Sequence, residues 1–397
     1  MLTFSIILAI FCFLSKEVHA TSVMLGTNYT FADPSGIYSR SDKKYYAYST
    51  GYSIAPDGTG FPVGTSEDGE TFKLLGNALS QKPNWSDGTK YWAPDVVYNP
   101  KTKQYVMSYT AGDKTKDFVE LRDKNGKAIS RSGGQTIGIA TSIRASGGFI
   151  PQSKPMIDRS INSFNRSLDF IDSSIFVDNN NQAYLIYKVE FVNDETAVHY
   201  GAIGANRTYG EIHAQALNDS WTGYKKGSKA VVLMKSTEVI LPRDRVWGGL
   251  NHASTIEAPY MTKAPDGTYV LFFSGNTNDE LGIANNVNSG IYYTGYAISK
   301  NPFSTFKNQG AFMTTQNMGL NAPGGFSLMK RADGDFEGIF MSIDKAKQTV
   351  AQYNKEKTND LNYQRDIKLI DQAHGVNPWR LHEVNFGWKN GHRPVFY

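Results

Sequence analysis

The sequence has almost no cysteine: its 397 residues include a single one, Cys12. Cys12 lies in an apolar run, Leu2–Leu14, that is followed by polar residues and the triplet Val18–Ala20, the pattern of a cleavable export signal. The run is shorter than the roughly 20 residues that a membrane-spanning helix needs. We therefore expect residues 1–20 to be a signal peptide and the protein to be secreted, extracellular and free of the membrane after cleavage; an uncleaved anchor is the alternative. The mature chain would have no cysteine, which excludes disulfides, thiol catalysis and cysteine-based zinc sites.

A strong excess of charge of either sign is also absent. The 41 Lys and Arg residues nearly balance the 37 Asp and Glu residues, and they are scattered along the chain. This balance predicts neither a nucleic-acid partner nor a membrane surface. The motifs HExxH and GxSxG are missing and the seven His residues are dispersed, so zinc proteolysis and serine esterase chemistry have no support.

Aromatic residues, in contrast, are abundant, at 13% of the chain. Such a content is typical of β-sheet proteins and of sugar-binding surfaces. Five segments share one pattern: an apolar strand, a polar turn with Asp, Asn, Lys or Gly, and a second strand that opens on an aromatic residue. They are DPSGIYSRSDKKYYAYST from Asp33, DVVYNPKTKQYVMSYTA from Asp95, DSSIFVDNNNQAYLIYK from Asp172, EAPYMTKAPDGTYVLFFSG from Glu257 and PGGFSLMKRADGDFEGIFMS from Pro323.

The repeated hairpins predict the fold. Further short strand-like runs, such as TIGIAT and YYTGYAIS, separate the hairpins, which is enough chain for a four-stranded sheet per repeat. Helical periodicity is rare, and EIHAQAL is short and ambiguous. We therefore predict an all-β, five-bladed β-propeller that forms one domain over residues 21–397, with a two-sheet sandwich as the alternative.

Acidic residues head the first strand in four of the five repeats: Asp33, Asp95, Asp172 and Glu257. Because the innermost strands of a propeller line a central funnel, we expect these carboxylates to converge at one mouth. Two carboxylates beside a sugar pocket can hydrolyse a glycosidic bond, one as general acid and one as base, and a third acid raises the proton affinity of the general acid. The competing interpretation of clustered acids is a Ca²⁺ site, but no EF-hand spacing is present.

Several stretches, in their order and spacing, are similar to glycoside hydrolase family 43, the five-bladed β-propeller enzymes that trim arabinose- and xylose-containing polysaccharides. They are ADPSGIY, YWAPDVVY, FIDSSIFVDNNNQAYLIYK, STIEAPYM, YVLFFSGN, YYTGYAISKNPFSTF, NAPGGFSL and the closing HEVNFGWKNGHRPVFY. The similarity extends from about residue 27 to the end of the sequence. The resemblance implies an inverting glycosidase.

The resemblance also implies a role for each acid. Asp33 in ADPS matches the general base that activates water, and Glu257 in STIEAP matches the general acid that protonates the departing oxygen. Asp172 in FIDSS matches the acid that tunes and orients the proton donor. Trp92 is expected to line the sugar subsite, and Asp95 to shape the substrate pocket rather than to catalyse.

Two positions depart from the family pattern. Many members have Asp-Pro where this sequence has Asp172 and Ser173, so the acid is kept while the local backbone differs. Members that hold a metal in the central channel often have a His where this sequence has Gly325. We therefore predict no metal ligand and no cofactor, and keep a structural Ca²⁺ held through water molecules as the alternative.

These observations predict a monomeric, exo-acting α-L-arabinofuranosidase or β-xylosidase whose substrate is a carbohydrate, in hemicellulose or pectin side chains. An endo-arabinanase of the same family is one alternative. A retaining, fructosidase-like propeller and a propeller that binds carbohydrate without catalysis are the others.

Overall fold

A computed structural model describes residues 21–22, 31–51, 60–114, 118–122, 128–157, 167–192, 208–236, 256–275, 292–343 and 379–397. The predicted signal peptide, residues 1–20, lies outside these ranges, and the extent of the domain over residues 21–397 stays a prediction. Within these ranges, no helix combines the length and the apolar character that crossing a membrane requires.

The described residues form strands and one helical turn. The strands are β1 (Thr21–Ser22), β2 (Ser35–Ser39), β3 (Lys44–Tyr48), β4 (Pro62–Ser66), β5 (Lys73–Asn77), β6 (Trp92–Asn99), β7 (Gln104–Gly112), β8 (Phe118–Arg122), β9 (Ala128–Gly133), β10 (Gln135–Ser142), β11 (Ile150–Pro151), β12 (Ser167–Val177), β13 (Ala183–Val192), β14 (Thr208–Ala216), β15 (Val231–Lys235), β16 (Ile256–Lys263), β17 (Tyr269–Gly275), β18 (Tyr293–Ser299), β19 (Lys307–Met313), β20 (Asn321–Lys330), β21 (Phe336–Ile343), β22 (Trp379–Lys389) and β23 (Arg393–Phe396). The helical turn is α1 (Thr315–Met318).

Apart from the separate β8-β9 hairpin, the strands assemble into five antiparallel units of four strands, which we call blades 1 to 5. Blade 1 is β2-β3-β4-β5, blade 2 is β6-β7-β10-β11, blade 3 is β12-β13-β14-β15 and blade 4 is β16-β17-β18-β19. Blade 5 is β20-β21-β22, completed by β1 from the start of the chain and extended by the β22-β23 hairpin. Blades 2 and 3 are joined by one parallel residue pair, Gln135 with Asp169. The ambiguous segment EIHAQAL lies in β14 and is therefore a strand.

The blades close into a ring. The first strand of each blade contacts the first strand of the next, and that of blade 5 contacts that of blade 1. Each pair of neighbouring blades shares a separate hydrophobic cluster, so the core is divided into layers between blades. The prediction of an all-β propeller is confirmed, and the grouping of the strands is consistent with the predicted five blades.

The five predicted hairpins are all present, each joining the first and second strands of its blade. Their turns place one residue in the left-handed region of φ: Lys43, Lys103, Asn181, Gly267 and Gly334. Asn and Gly adopt this conformation more readily than other residues, which is why the turn signal could be read from the sequence.

Candidate active site

A β-bulge lies near the start of the first strand in blades 2 to 5. In each, two residues of the first strand face one residue of the second strand. The φ angle lies between 43° and 53° at the first bulge residue of these four blades and at the matching residue just before β2. These residues are Asp33, Ala93, Asp172, Ala258 and Ala322. Side chains other than glycine rarely adopt such φ values, and bulges redirect the side chains beside them. The fold thus offers five equivalent positions at the mouth, and two carry Asp.

Asp33 occupies this position in blade 1. Its carboxylate accepts a hydrogen bond of 2.5 Å from the Thr50 hydroxyl, and its backbone N–H contacts the Met341 sulfur at 3.2 Å. Thr50 Oγ1 also accepts a hydrogen bond of 2.9 Å from the Ala93 N–H, so its own proton is directed to Asp33. Burial raises the pKa of Asp33 to about 6; the Thr50 hydrogen bond opposes this rise and the Glu257 charge adds to it.

Asp172 occupies the same position in blade 3. Its carboxylate accepts a hydrogen bond of 3.1 Å from the Ala258 N–H of blade 4, and its own N–H donates to Thr110 Oγ1 at 3.0 Å. Burial raises its pKa to about 8, and the charges of Glu257 and Asp33 contribute to the rise. Asp172 therefore binds a proton more tightly than an ordinary aspartate does.

Glu257 lies one residue before the bulge of blade 4, with a side chain that is 13% exposed. One carboxylate oxygen accepts a hydrogen bond of 2.8 Å from the Tyr292 hydroxyl, and the other lies 3.1 Å from the ammonium of Lys188. Gly324 leaves the space for the Tyr292 ring, since a Cβ there would be 2.1 Å from a ring carbon. Glu257 is therefore a paired charge at the mouth rather than an isolated one in a packed core.

Lys188 is a site residue that sequence reasoning missed. Its side chain is 3% exposed and forms ion pairs with Glu257 and, at 3.0 Å, with Glu190. Burial acts to lower the pKa of Lys188, but the charges of Glu190, Glu257 and Asp172 together raise it. The signal was a lysine inside the apolar strand LIYKVEF, because a buried charge requires a partner. Thr50 and Tyr292 gave no such signal, since threonine and tyrosine are ordinary strand residues.

The structure brings together three of the four predicted acids. Glu257 affects the ionisation of both Asp33 and Asp172, and Asp33 affects that of Asp172, so the three carboxyl groups share one electrostatic environment. They come from three different blades. Carboxyl groups whose proton affinities differ in this way can divide the roles of acid and base between them.

Asp95 is placed differently. It lies two residues after the bulge residue Ala93, and its buried carboxylate accepts a hydrogen bond of 2.7 Å from the Ile175 N–H. Burial raises its pKa to about 6, while backbone N–H groups, that of Ile175 first, oppose the rise. Asp95 thus links blade 2 to blade 3, and it is not among the groups that shift the pKa of Asp33 or of Asp172.

Trp92 lies one residue before the bulge of blade 2, the position that Glu257 holds in blade 4. Its side chain is half-buried, and the Lys90 ammonium lies 5.9 Å from its ring centre. This placement gives an aromatic face at the mouth of the ring. Its role in sugar binding stays a prediction.

A metal-binding group of three or more His, Cys, Asp or Glu side chains is absent from the described residues. At Gly325, where a His was expected in metal-holding members, φ is 58° and a Cβ would lie 3.4 Å from the Asp33 Cα. A side chain at this position would be strained by this φ, and its Cβ would be in van der Waals contact with the Asp33 backbone. The expectation of no cofactor stays a prediction.

Comparisons with known proteins agree with this geometry. The family model for glycosyl hydrolases family 43 matches residues 27–362. A search of curated proteins finds no significant match. Among solved structures, a thermostable family-43 glycoside hydrolase has a TM-score of 0.61 and 19% identity over 92% of each chain.

Two further solved structures have similar scores. An endo-1,4-β-xylanase from Bacteroides thetaiotaomicron has a TM-score of 0.60 and 20% identity, covering 96% of this chain and 97% of its own. A Cellvibrio cellulosa α-L-arabinanase complexed with arabinohexaose has a TM-score of 0.58 and 15% identity, covering 94% of this chain and 96% of its own. At these identities the structural likeness shows the fold alone.

Proposed function

The chain belongs to glycoside hydrolase family 43, and within this family we propose that it is a secreted, exo-acting enzyme that releases α-L-arabinofuranosyl or β-D-xylosyl units. Its substrates would be plant cell-wall polysaccharides or their oligosaccharides. As a member of the family it is an inverting glycosidase that uses carboxyl groups as acid and base. The observation that carries the assignment of residues is the coupled group of Asp33, Asp172 and Glu257 at one mouth.

Asp33 is proposed as the general base. Its pKa of about 6 leaves it ionised at neutral pH, and the Thr50 hydroxyl orients one of its oxygens. An ionised carboxylate can take a proton from a water molecule as the water attacks the sugar. In an inverting reaction, this water lies on the face of the sugar ring opposite the departing group.

Glu257 is proposed as the general acid and Asp172 as the acid that tunes it. Asp172 is held against the residue that follows Glu257, through the Ala258 N–H. Because its pKa is raised, Asp172 keeps its proton to higher pH than an ordinary aspartate would, and in that form it adds no negative charge beside Glu257. Its ionisation therefore changes the field at the proton donor.

The proposed substrates, the exo action and the secretion rest on four observations. The neighbours in fold include a xylanase and an arabinanase bound to an arabinose oligomer. Trp92 provides a flat apolar face, against which a sugar ring can lie. The stretches YLIYK and LFFSGN favour the exo-acting members, and residues 1–20 favour export.

The test is hydrolysis of a panel of nitrophenyl glycosides, α-L-arabinofuranoside, β-D-xyloside and β-D-galactoside, together with sugar release from arabinan and xylan. Glu257→Gln keeps the size of the side chain but removes the acid, so we expect turnover to fall by about 10²- to 10⁴-fold while the protein stays folded. Turnover of one glycoside that is lost in Glu257→Gln supports the proposal. Activity on polymer alone favours an endo-acting enzyme, and a folded but inactive wild type favours the binding-only propeller. Wild-type turnover by Glu257→Gln would contradict its assignment as the acid.

A further inference from the structure

A hydroxyl group at the end of the second strand accepts a backbone hydrogen bond from the next blade in three of the five blades; in blade 4, Ser274 accepts one of 2.8 Å from the Gly325 N–H of blade 5. Thr50, just after β3, accepts a hydrogen bond of 2.9 Å from the N–H of Ala93, the bulge residue of blade 2. Thr110, at the equivalent position of β7, accepts one of 3.0 Å from the N–H of Asp172, the bulge residue of blade 3. In blades 1 and 2, a threonine hydroxyl thus accepts the hydrogen bond from the backbone N–H at the bulge of the following blade.

Lys188 stands at this position in blade 3. It pairs with Ile171, just as Thr110 pairs with Trp92 in blade 2. An ammonium group has no lone pair and cannot accept a hydrogen bond. The N–H of Ala258, the bulge residue of blade 4, is bound instead by the Asp172 carboxylate at 3.1 Å. Replacing threonine by lysine therefore coincides with a different hydrogen-bond pattern between blades 3 and 4.

The surroundings of Lys188 leave its ammonium directed at two carboxylates. Gly210, the β14 partner of Glu190, is small, and a Cβ there would lie 3.6 Å from Lys188 Cε. The ammonium lies 3.0 Å from Glu190 and 3.1 Å from Glu257. A buried lysine without an acidic partner would be strongly destabilising, so these contacts stabilise Lys188 at this position.

We propose that Lys188 is a positioning residue of the active site, which holds the Glu257 carboxyl at the mouth through their ion pair and thereby sets the upper pH limit of activity. This inference rests on the proposed role of Glu257 as general acid. Among the described residues, the other ionisable groups that interact with Glu257 are the Tyr292 hydroxyl and the carboxyl groups of Asp172 and Asp33. Lys188 is the cation of this group.

The experiment measures the pH profile of kcat/KM on the glycoside that the wild type hydrolyses. Lys188→Met removes the charge with little change in length, so the acid should stay protonated to higher pH. A cation within 4 Å typically shifts such an ionisation by about 1 to 3 units, and we expect the basic limb to move up by about one unit or more. Lys188→Thr, which restores the hydroxyl of the repeat, should move it in the same direction.

The matched control is Lys263→Met, which removes another lysine that links blades 3 and 4, through Asp178 at 3.2 Å. The Lys263→Met variant should keep the basic limb of the kcat/KM profile at the wild-type pH. A uniform fall of kcat/KM at every pH in both Lys188 variants, without a shift of the limb, would overturn the inference. If the single variants do not fold, the double variant Lys188→Met with Glu190→Gln also removes the second carboxylate that faces Lys188. Its test is the same shift of the basic limb.

The two proposals can fail separately. An inactive wild type, or full activity in Glu257→Gln, refutes the proposed function. An active wild type whose basic limb is the same in the folded Lys188 variants refutes only the role of Lys188.

Discussion

The hydrogen bond from Thr50 to Asp33 allows a quantitative prediction about the acid side of the pH profile. Asp33 must be ionised to act as a base, and its pKa of about 6 places the acid limb of kcat/KM near that value. The Thr50 hydroxyl, 2.5 Å away, favours the ionised carboxylate. Thr50→Val removes this donor at nearly constant shape, so the pKa of Asp33 should rise and the acid limb should move to higher pH.

The expected size follows from the strength of such bonds. A hydrogen bond to a charged group contributes about 1.5 to 3 kcal/mol. Because one pKa unit corresponds to about 1.4 kcal/mol, the limb should move up by about 1 to 2 units. Thr50 is only 1% exposed, so water cannot easily replace the lost donor.

The assay is kcat/KM from pH 4 to pH 9 on the best glycoside of the panel, with Thr50→Ser as control because serine keeps the hydroxyl. The Ser variant should retain the wild-type limb. Thr50→Val also leaves the Ala93 N–H without its acceptor, which should lower the free energy of unfolding by about 1 to 3 kcal/mol. A folded Thr50→Val protein with an unchanged acid limb would show that Asp33 is not the group whose ionisation limits activity at low pH.

Two further predictions concern stability. Asp95→Ala leaves the Ile175 N–H without its acceptor and should lower the free energy of unfolding, measured by urea titration, by about 1 to 3 kcal/mol. Asp95→Asn keeps a carbonyl oxygen and should lower the free energy of unfolding by less. Equal losses of stability in the two variants would contradict the blade-linking role. Burial, together with the charge of Glu337, raises the pKa of Glu383 to about 8. Between pH of about 4.5 and about 8 the folded protein therefore holds a proton that the unfolded chain has released. The free energy of unfolding should accordingly fall as pH rises through this range. Glu383→Gln should therefore raise Tm at pH 8 and leave it nearly unchanged at pH 4.5. Glu67→Gln, which changes an exposed ion pair, is the control. An equal rise of Tm at both pH values in Glu383→Gln would contradict this reasoning.

The structure excludes one of the alternative interpretations of the sequence and leaves another to experiment. The two-sheet sandwich is excluded by the ring of inner strands. The choice between exo and endo action stays open to the hydrolysis assay, because it depends on how loops close the mouth.

The resemblance to family 43 gave the roles of Asp33, Asp172 and Glu257, whereas the sequence by itself was enough to find the repeated hairpins and the four acids that head them. Both depend on local signals: strand alternation, turn residues such as Asn181 and Gly267, and acids beside the start of a strand. Such signals involve residues that are close along the chain, so no knowledge of the partner strands is required.

Only the tertiary structure decided which acids meet. Asp95 heads a hairpin in the sequence as Asp33 does, but it lies two residues beyond the bulge and its carboxylate is directed to the next blade. Lys188 reaches Glu257 across 69 residues of sequence, and Tyr292 reaches it across 35. The physical reason is that a bulge and its contacts are set by pairing with the second strand and by the packing of neighbouring blades, and these interactions exist only once the ring has closed.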